Sequence, residues 1–319
     1  VAALVRPGEV VFSDQLNHPG IVAGCRLSGA DVFVYDHRDT EHLAWGLRQA
    51  RGAGALIVTE SVFAVEGDLA PLESLIGLAR DHDCLLLAEE SHAIGAVGPE
   101  GRGLVAAFGL TGEVDVVVAS LGKALGSYGS FAACAHETAE FLASSSASLL
   151  CSSAPPPAAT AAAAAALELL IEHPYRVERL RANSECLREA LSEAGVRTGP
   201  SRSQVVTVPA GDGLALGEAR ERALAAGVLV GTVQPPQLPV GEAALRLSVM
   251  ATHRGAELRA AAQVIADASR GAGIAAAAPL RAVSDDWTDG AGWTEAPATA
   301  VASAAAGEGA ELPTWIRAA

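Results

Sequence analysis

A chain of 319 residues, half of them hydrophobic, can bury a sizeable core and has room for one large domain and a smaller one. Its formal charge of −15 repels phosphate backbones and anionic lipid, which argues against nucleic acid and membrane surfaces as partners. Five cysteines without a CxxC pair and eight histidines without an HExxH pattern argue against a disulfide framework and suggest no metal site.

Short apolar runs alternate with helical patterns through the first half. Strands are predicted at Val10 to Phe12, Val32 to Tyr35, Ala55 to Thr59, Cys84 to Ala88 and Val114 to Ala119, each bounded by Gly, Asp or Asn. Helical periodicity runs from Thr40 to Arg51, with Asp39 as its N-cap, and from Pro71 to Asp81, with Pro71 where a first turn tolerates proline. Strand, helix, strand repeated in this way predicts an α/β unit with a mostly parallel sheet covered by helices. After Pro155-Pro156-Pro157 two long helices follow, Ala158 to Glu172 and Tyr175 to Ala194, separated by His173-Pro174. Strands at Val205 to Val208, Val228 to Gly231 and Leu245 to Val249 then alternate with helices at Leu216 to Ala226 and Gly255 to Ser269. That pattern gives a smaller α+β domain. The expected division is a large domain over 1–172, a small one over 173–270, and a disordered tail over 271–319 in which Trp287, Trp293 and Trp315 lie. The alanine-rich run 158–166 is too short for a bilayer span and no charged-then-apolar signal opens the chain, so a cytoplasmic protein is expected.

Parallel sheets place ligand sites beyond the carboxyl ends of their strands. One strand end here is "AEESH" (88–92), where two carboxylates and a histidine terminate an apolar run. A buried carboxylate is costly unless a cation or hydrogen-bond donor meets it. A second strand end carries "ASLGKALGSYGSF" (119–131), in which glycines let a ligand approach the Lys123 amine. A lysine facing carboxylates and histidines across strand ends is the constellation Schiff-base chemistry on pyridoxal phosphate requires. Such a site needs an amine for the aldehyde, a carboxylate for the pyridine nitrogen, a ring to stack on the cofactor, and hydroxyls and amides for its phosphate.

The chain resembles the α-oxoamine synthases, fold-type I pyridoxal-phosphate enzymes that join an amino acid to an acyl thioester with loss of carbon dioxide. The resemblance is carried, in the family's order, by "DQLNHPGIVAGCRLSGA" (14–30), "HRDTEHL" (37–43), "TESVFAVEGDLAPL" (59–72), "EESHAIGAVGPEGRG" (89–103), "SLGKALGSYGSF" (120–131), "SSAPPP" (152–157) and "LRLSVMATH" (245–253). It implies Lys123 as the Schiff-base lysine, Glu89 as the partner of the pyridine nitrogen, His18 as the stacking ring, and His92 beside the phenolic oxygen. It further implies Ser120 as a phosphate ligand, Ser153 as a residue reaching the phosphate of a partner subunit, and Arg246 as the binder of the substrate carboxylate. Asp14, Asp39, Asp68 and Glu90 are read as caps or turn acids.

The implied reaction exchanges the Lys123 Schiff base for one with the amino acid. The freed lysine removes the Cα proton, the carbanion attacks an acyl-CoA or acyl-carrier-protein thioester, and decarboxylation follows with assistance from His92. The family's assembly implies a homodimer or a heterodimer with a homologue. Departures from the family pattern are Glu89 in place of aspartate, Ala64 in place of serine, Pro19-Gly20 in place of Ala-Ser, and Gln234 in "VQPPQLP" in place of a common arginine. Val1 corresponds to the interior of the family's large domain, so a fragment, a misplaced start or a shortened homologue is expected. These departures leave two rival expectations: a non-catalytic homologue acting as a subunit partner, and another fold-type I enzyme such as an aminotransferase.

Overall fold

The computed structural model describes residues 1–50, 54–211, 213–235, 237–238 and 241–274. Of the expected tail 271–319, residues 271–274 are ordered, Gly271 ending a helix and Ala272 and Ile274 packing on a hydrophobic core, while 275–319, with Trp287, Trp293 and Trp315, lie outside the described residues. Among the described residues the chain forms two compact units, one built from Val1–Ser61 and Ala70–Leu169, the other from Val62–Leu69 and residues 170–274. The short stretch 62–69, which the sequence places inside the large domain, thus groups with the second unit.

In the first unit a sheet of six strands carries β1 (Val10–Asp14), β2 (Asp31–Tyr35), β3 (Ala55–Glu60), β4 (Leu85–Glu89), β5 (Val116–Ser120) and β6 (Ser130–Cys134), in the order β2-β1-β3-β4-β5-β6. All pairings are parallel except β5 with β6. Helices α1 (Pro19–Ser28), α2 (Thr40–Gln49), α3 (Leu72–Asp81), α4 (Leu104–Ala107), α5 (His136–Ser145) and α6 (Ala147–Leu150) connect and flank the strands, and α7 (Pro157–Glu172) spans the division of the chain. Inner strands read as continuous apolar runs because both faces are covered. Val11, Leu56, Val58, Leu87 and Val116 pack with Ile21 and Cys25 of α1 into one core. On β2, Phe33 lies against Trp45 and His42 of α2. A Cβ on Gly46 would sit 2.6 Å from the Phe33 ring, so this glycine permits the close approach of α2.

The sequence periodicity does not mark α1, α4, α5, α6 or β6. Helix α1 has a weak apolar stripe, yet Pro19 in its first turn and Gly29 in the left-handed conformation at its end are start and stop signals. Strand β6, Ser-Phe-Ala-Ala-Cys, has little intrinsic strand preference and takes its conformation from antiparallel pairing with β5.

The second unit contains α8 (Tyr175–Glu193), β7 (Val205–Pro209), α9 (Gly213–Ala225), β8 (Gly231–Val233), β9 (Ala244–Ser248) and α10 (Gly255–Gly271), with an antiparallel sheet in the order β7-β9-β8. Leu187, Leu191, Val206, Val208, Leu216, Leu245, Leu258 and Ile265 form its core. The strand expected at Val228 to Gly231 begins three residues later, at Gly231. The reason is that the Val228 N–H donates to Ala223 O and closes the end of α9, so pairing with β9 starts only beyond it. Gly67 of the 62–69 stretch takes φ +69°, and its carbonyl accepts the Arg202 N–H at 3.0 Å. Among the described residues no helix is long and apolar enough to cross a membrane.

Candidate active site

Strands β1, β3, β4 and β5 run parallel, so their carboxyl ends lie on one side of the sheet, and each hands the chain to a segment that carries polar chemistry. After β1, Asp14 accepts the backbone N–H groups of Leu16 and Arg38, both at 2.9 Å, and meets His37 Nδ1 at 2.9 Å. It is a turn acid. Asn17 ties the same turn to β3. Its Nδ2 donates to Ser13 Oγ at 2.9 Å and Val58 O at 2.8 Å, while its Oδ1 accepts the Glu60 N–H at 3.0 Å. Glu60 answers through Oε1, which accepts the His18 backbone N–H at 2.6 Å.

His18 therefore enters α1 at a fixed angle and serves as its N-cap, with Nδ1 accepting the Gly20 N–H at 3.0 Å. Partial burial, and secondarily the charge of Lys123, hold its imidazole below the usual range. A neutral ring offers a flat face with no charge penalty for covering it. The Lys123 effect also places the lysine near His18.

At the end of β4 the two carboxylates part. Glu90 is buried, and its Oε1 accepts the N–H groups of Leu104 at 2.7 Å and Val105 at 3.0 Å, so it caps α4. Burial raises its carboxyl pKa against those hydrogen bonds. Glu89 points elsewhere: its Oε1 accepts from the Ser91 hydroxyl, and its Oε2 is buried with no hydrogen-bond partner. Burial pushes the Glu89 carboxyl above the usual carboxylate range, opposed by the nearby positive charge of Lys123. His92 follows in the turn closed by the Ala93 and Ile94 N–H groups on Glu90 O, and is half-buried.

Lys123 lies in the loop joining β5 to β6. That loop is held by Leu121 N–H to Gly129 O at 2.9 Å, Ser127 N–H to Leu121 O at 2.9 Å and Gly126 N–H to Lys123 O at 3.0 Å. Gly126 and Gly129 take φ +58° and +102°, a region that disfavours side-chain-bearing residues, so these glycines shape the loop around the amine. Ser120 begins it, its Oγ accepting the Gly122 N–H at 3.0 Å.

Of the expected site residues, Lys123 is within electrostatic reach of both His18 and Glu89, and Ser120 is linked to Glu89 through Ser91. Ser153 stands in the exposed segment before α7. Arg246 belongs to the second unit, where its Nε donates to Ala64 O at 2.8 Å and its Nη1 to Ser248 Oγ at 3.1 Å. Asn17, Glu60 and Ser91 were not singled out from sequence. Their signal is local: each lies inside a motif of the family resemblance, in "LNH", "TES" and "EESH".

The residues present fit pyridoxal phosphate. A buried carboxylate oxygen without a donor suits a protonated ring nitrogen, and a lysine within electrostatic reach of both that carboxylate and a neutral imidazole suits the aldehyde.

Comparison with known proteins gives a consistent picture. The model of the aminotransferase class I and II family matches residues 1–265. The 8-amino-7-oxononanoate synthase of Citrifermentans bemidjiense is 39% identical over 277 residues, covering 86% of this chain and 71% of the relative. That of Symbiobacterium thermophilum is 36% identical over 276 residues, covering 86% and 70%. Among solved structures, a serine palmitoyltransferase from S. paucimobilis with bound PLP–myriocin aldimine superposes with a TM-score of 0.82 at 29% identity, covering 86% of this chain and 70% of that one. The 8-amino-7-oxononanoate synthase of Francisella tularensis, at 22% identity and a TM-score of 0.72 over 83% and 77% of the two chains, shares the fold.

Proposed function

The chain belongs to the aminotransferase class I and II family, and on that premise we propose that it is a pyridoxal-phosphate-dependent C-acyltransferase that condenses an amino acid with an acyl-CoA or acyl-carrier-protein thioester with loss of carbon dioxide. The observation that carries the proposal is the buried, unpartnered Oε2 of Glu89 within the electrostatic reach of Lys123. The motifs at 59–72 and 123–131 resemble the 8-amino-7-oxononanoate synthase branch, and that at 91–103 resembles the 2-amino-3-ketobutyrate ligase branch. The relatives' names favour the first.

Bound here, pyridoxal phosphate supplies an electron sink that stabilises negative charge at the substrate's Cα. The chain's own groups do the rest. Glu89 Oε2 holds negative charge where the ring nitrogen's proton is to be kept. His18, neutral and latched by Gly20, covers a ring face. Ser120 would hold a phosphate oxygen, and His92 would lie beside the phenolic oxygen. The Lys123 amine would hold the cofactor, and its Nζ would take the Cα proton. Arg246 binds the substrate carboxylate through its guanidinium fork.

Two finer points belong to the same proposal. The protein assembles as a dimer, with itself or with a homologue, and Ser153 reaches the neighbour's phosphate. Support comes from β6, whose residues 130–133 are exposed at the sheet edge, and from the exposed side chains of Phe131, Phe141, Leu149 and Leu150. The location is cytoplasmic, which suits the free state of all five cysteines.

Reconstitution with pyridoxal phosphate, borohydride reduction and peptide mapping tests the site: the pyridoxyl group is expected on Lys123. Product analysis tests the reaction. An amino ketone and carbon dioxide are expected from an amino acid and an acyl thioester, and amino transfer without carbon–carbon bond formation overturns the reading. A sedimentation monomer that binds the cofactor normally overturns the dimer.

A further inference from the structure

Ser91 occupies a place in the sheet where a backbone carbonyl would ordinarily stand. The parallel ladder between β4 and β5 continues through Glu90 N–H to Val118 O at 2.8 Å, and its next rung would join the Ser120 N–H to Glu90 O. That carbonyl is taken by the turn, accepting from Ala93 at 2.9 Å and Ile94 at 2.8 Å. The Ser120 N–H goes instead to Ser91 Oγ at 2.7 Å, and the Ser91 O–H is donated to Glu89 Oε1. A directed pair results: Ser120 N–H to Ser91 Oγ, and Ser91 O–H to Glu89 Oε1. It runs from the Ser120 backbone to the carboxylate through Ser91, a residue that is 4% exposed. Consecutive hydrogen bonds in a dry setting strengthen one another.

We infer that Ser91 is a positioning residue whose hydroxyl clamps one oxygen of Glu89 to the strand end that bears Ser120 and Lys123, so that the other oxygen stays aimed at the cofactor's ring nitrogen. The inference rests on the reading of Glu89 as that nitrogen's partner. Glutamate, standing where the resembling family has aspartate, carries one more rotatable bond, and an unrestrained carboxylate would sample several rotamers. The clamp removes that freedom on one side while leaving Oε2 without a partner from the chain.

The test uses Ser91→Ala and Ser91→Thr, each made with Glu89 and with Glu89→Asp. In the cofactor-free protein, the titration of the Glu89 carboxyl is followed by isotope-edited infrared spectroscopy. Loss of a donor to the charged form moves it upward in Ser91→Ala, and Ser91→Thr restores it. In the loaded protein, Ser91→Ala is expected to weaken pyridoxal-phosphate binding about 10-fold and to lower the protonated fraction of the ring nitrogen in its ¹⁵N signal. In the Glu89→Asp background, where the extra torsion is gone, the same change is expected to cost less than about 2-fold; the pair forms a double-mutant cycle. If Ser91→Ala does not fold, Ser91→Cys, which keeps the size with a weak donor, gives the same readouts. A Glu89 titration and ring-nitrogen signal unmoved by Ser91→Ala or Ser91→Cys overturn the inference, as does an equal cost in both backgrounds. A carboxyl titration that shifts as expected in a protein whose every form, parent included, fails to bind the cofactor upholds the clamp and overturns the cofactor reading instead.

Discussion

The Gly20 N–H donates to His18 Nδ1 across 3.0 Å, so the imidazole that caps α1 carries its proton on Nε2. A side chain at Gly20 would crowd this latch, since a Cβ there would lie 3.1 Å from Nδ1. Gly20→Ala is therefore expected to turn the ring and to weaken pyridoxal-phosphate binding about tenfold. The ¹⁵N pattern of His18 reports the tautomer directly, and an unchanged pattern with unchanged binding would refute the latch.

Glu90 predicts a structural effect in the same strand end. Its Oε1 serves two buried N–H groups, those of Leu104 and Val105, so Glu90→Ala strands both and should cost about 2–5 kcal/mol of stability. Glu90→Gln keeps an acceptor oxygen and should cost less. Gly103→Ala should be comparably damaging, because its φ is +93° and the new Cβ would fall 2.2 Å from Glu90 Oε2. Denaturant unfolding of the three variants gives the order, and a fully stable Glu90→Ala would contradict it.

Glu89 is expected to cost the cofactor-free protein stability. Burial raises its carboxyl pKa in the folded chain, so the unfolded chain loses its proton first. The penalty is absent below the unfolded value of about 4.3, grows as pH rises towards the folded value, and stays constant above it. Glu89→Gln removes the penalty. Its melting temperature should exceed the parent's at pH 8 and converge with it near pH 4. Parallel melting profiles across that range would show that the folded chain does not disfavour the charge.

Arg246 provides the kinetic prediction. Lysine cannot reproduce a fork that donates to Ala64 O and Ser248 Oγ and also grips a carboxylate in a bidentate manner. Arg246→Lys should raise KM for the amino acid at least about 10-fold while the thioester KM changes little. Steady-state kinetics with each substrate varied in turn decides this, and an unchanged amino acid KM would remove Arg246 from the site.

Much of the first unit is determined by the sequence itself. Runs such as Leu-Ile-Val in β3 and Leu86-Leu87-Ala88 in β4 are apolar without alternation because both faces of a parallel sheet are covered, and Asp39 and Pro71 mark helix starts by local chemistry. The motif order likewise points to Lys123, Glu89 and His18, since a Schiff-base site needs an amine, a carboxylate and a ring at strand ends. Three matters depend on contacts distant in sequence and are decided only by the tertiary structure. Strand β6 exists because β5 pairs with it, and the 62–69 stretch joins the second unit through Gly67 and Arg202. The twin carboxylates at 89 and 90 are told apart in the sequence by the motif alone, and the contacts that separate them come from the fold. Glu90 is taken by the amides of α4, fourteen and fifteen positions away. Glu89, one residue earlier and facing the other way on the strand, keeps one oxygen unpartnered while the other accepts from the hydroxyl of Ser91, which in turn accepts the Ser120 N–H. Alternation along a strand sends neighbours to opposite faces, and what waits on each face is set by the rest of the fold.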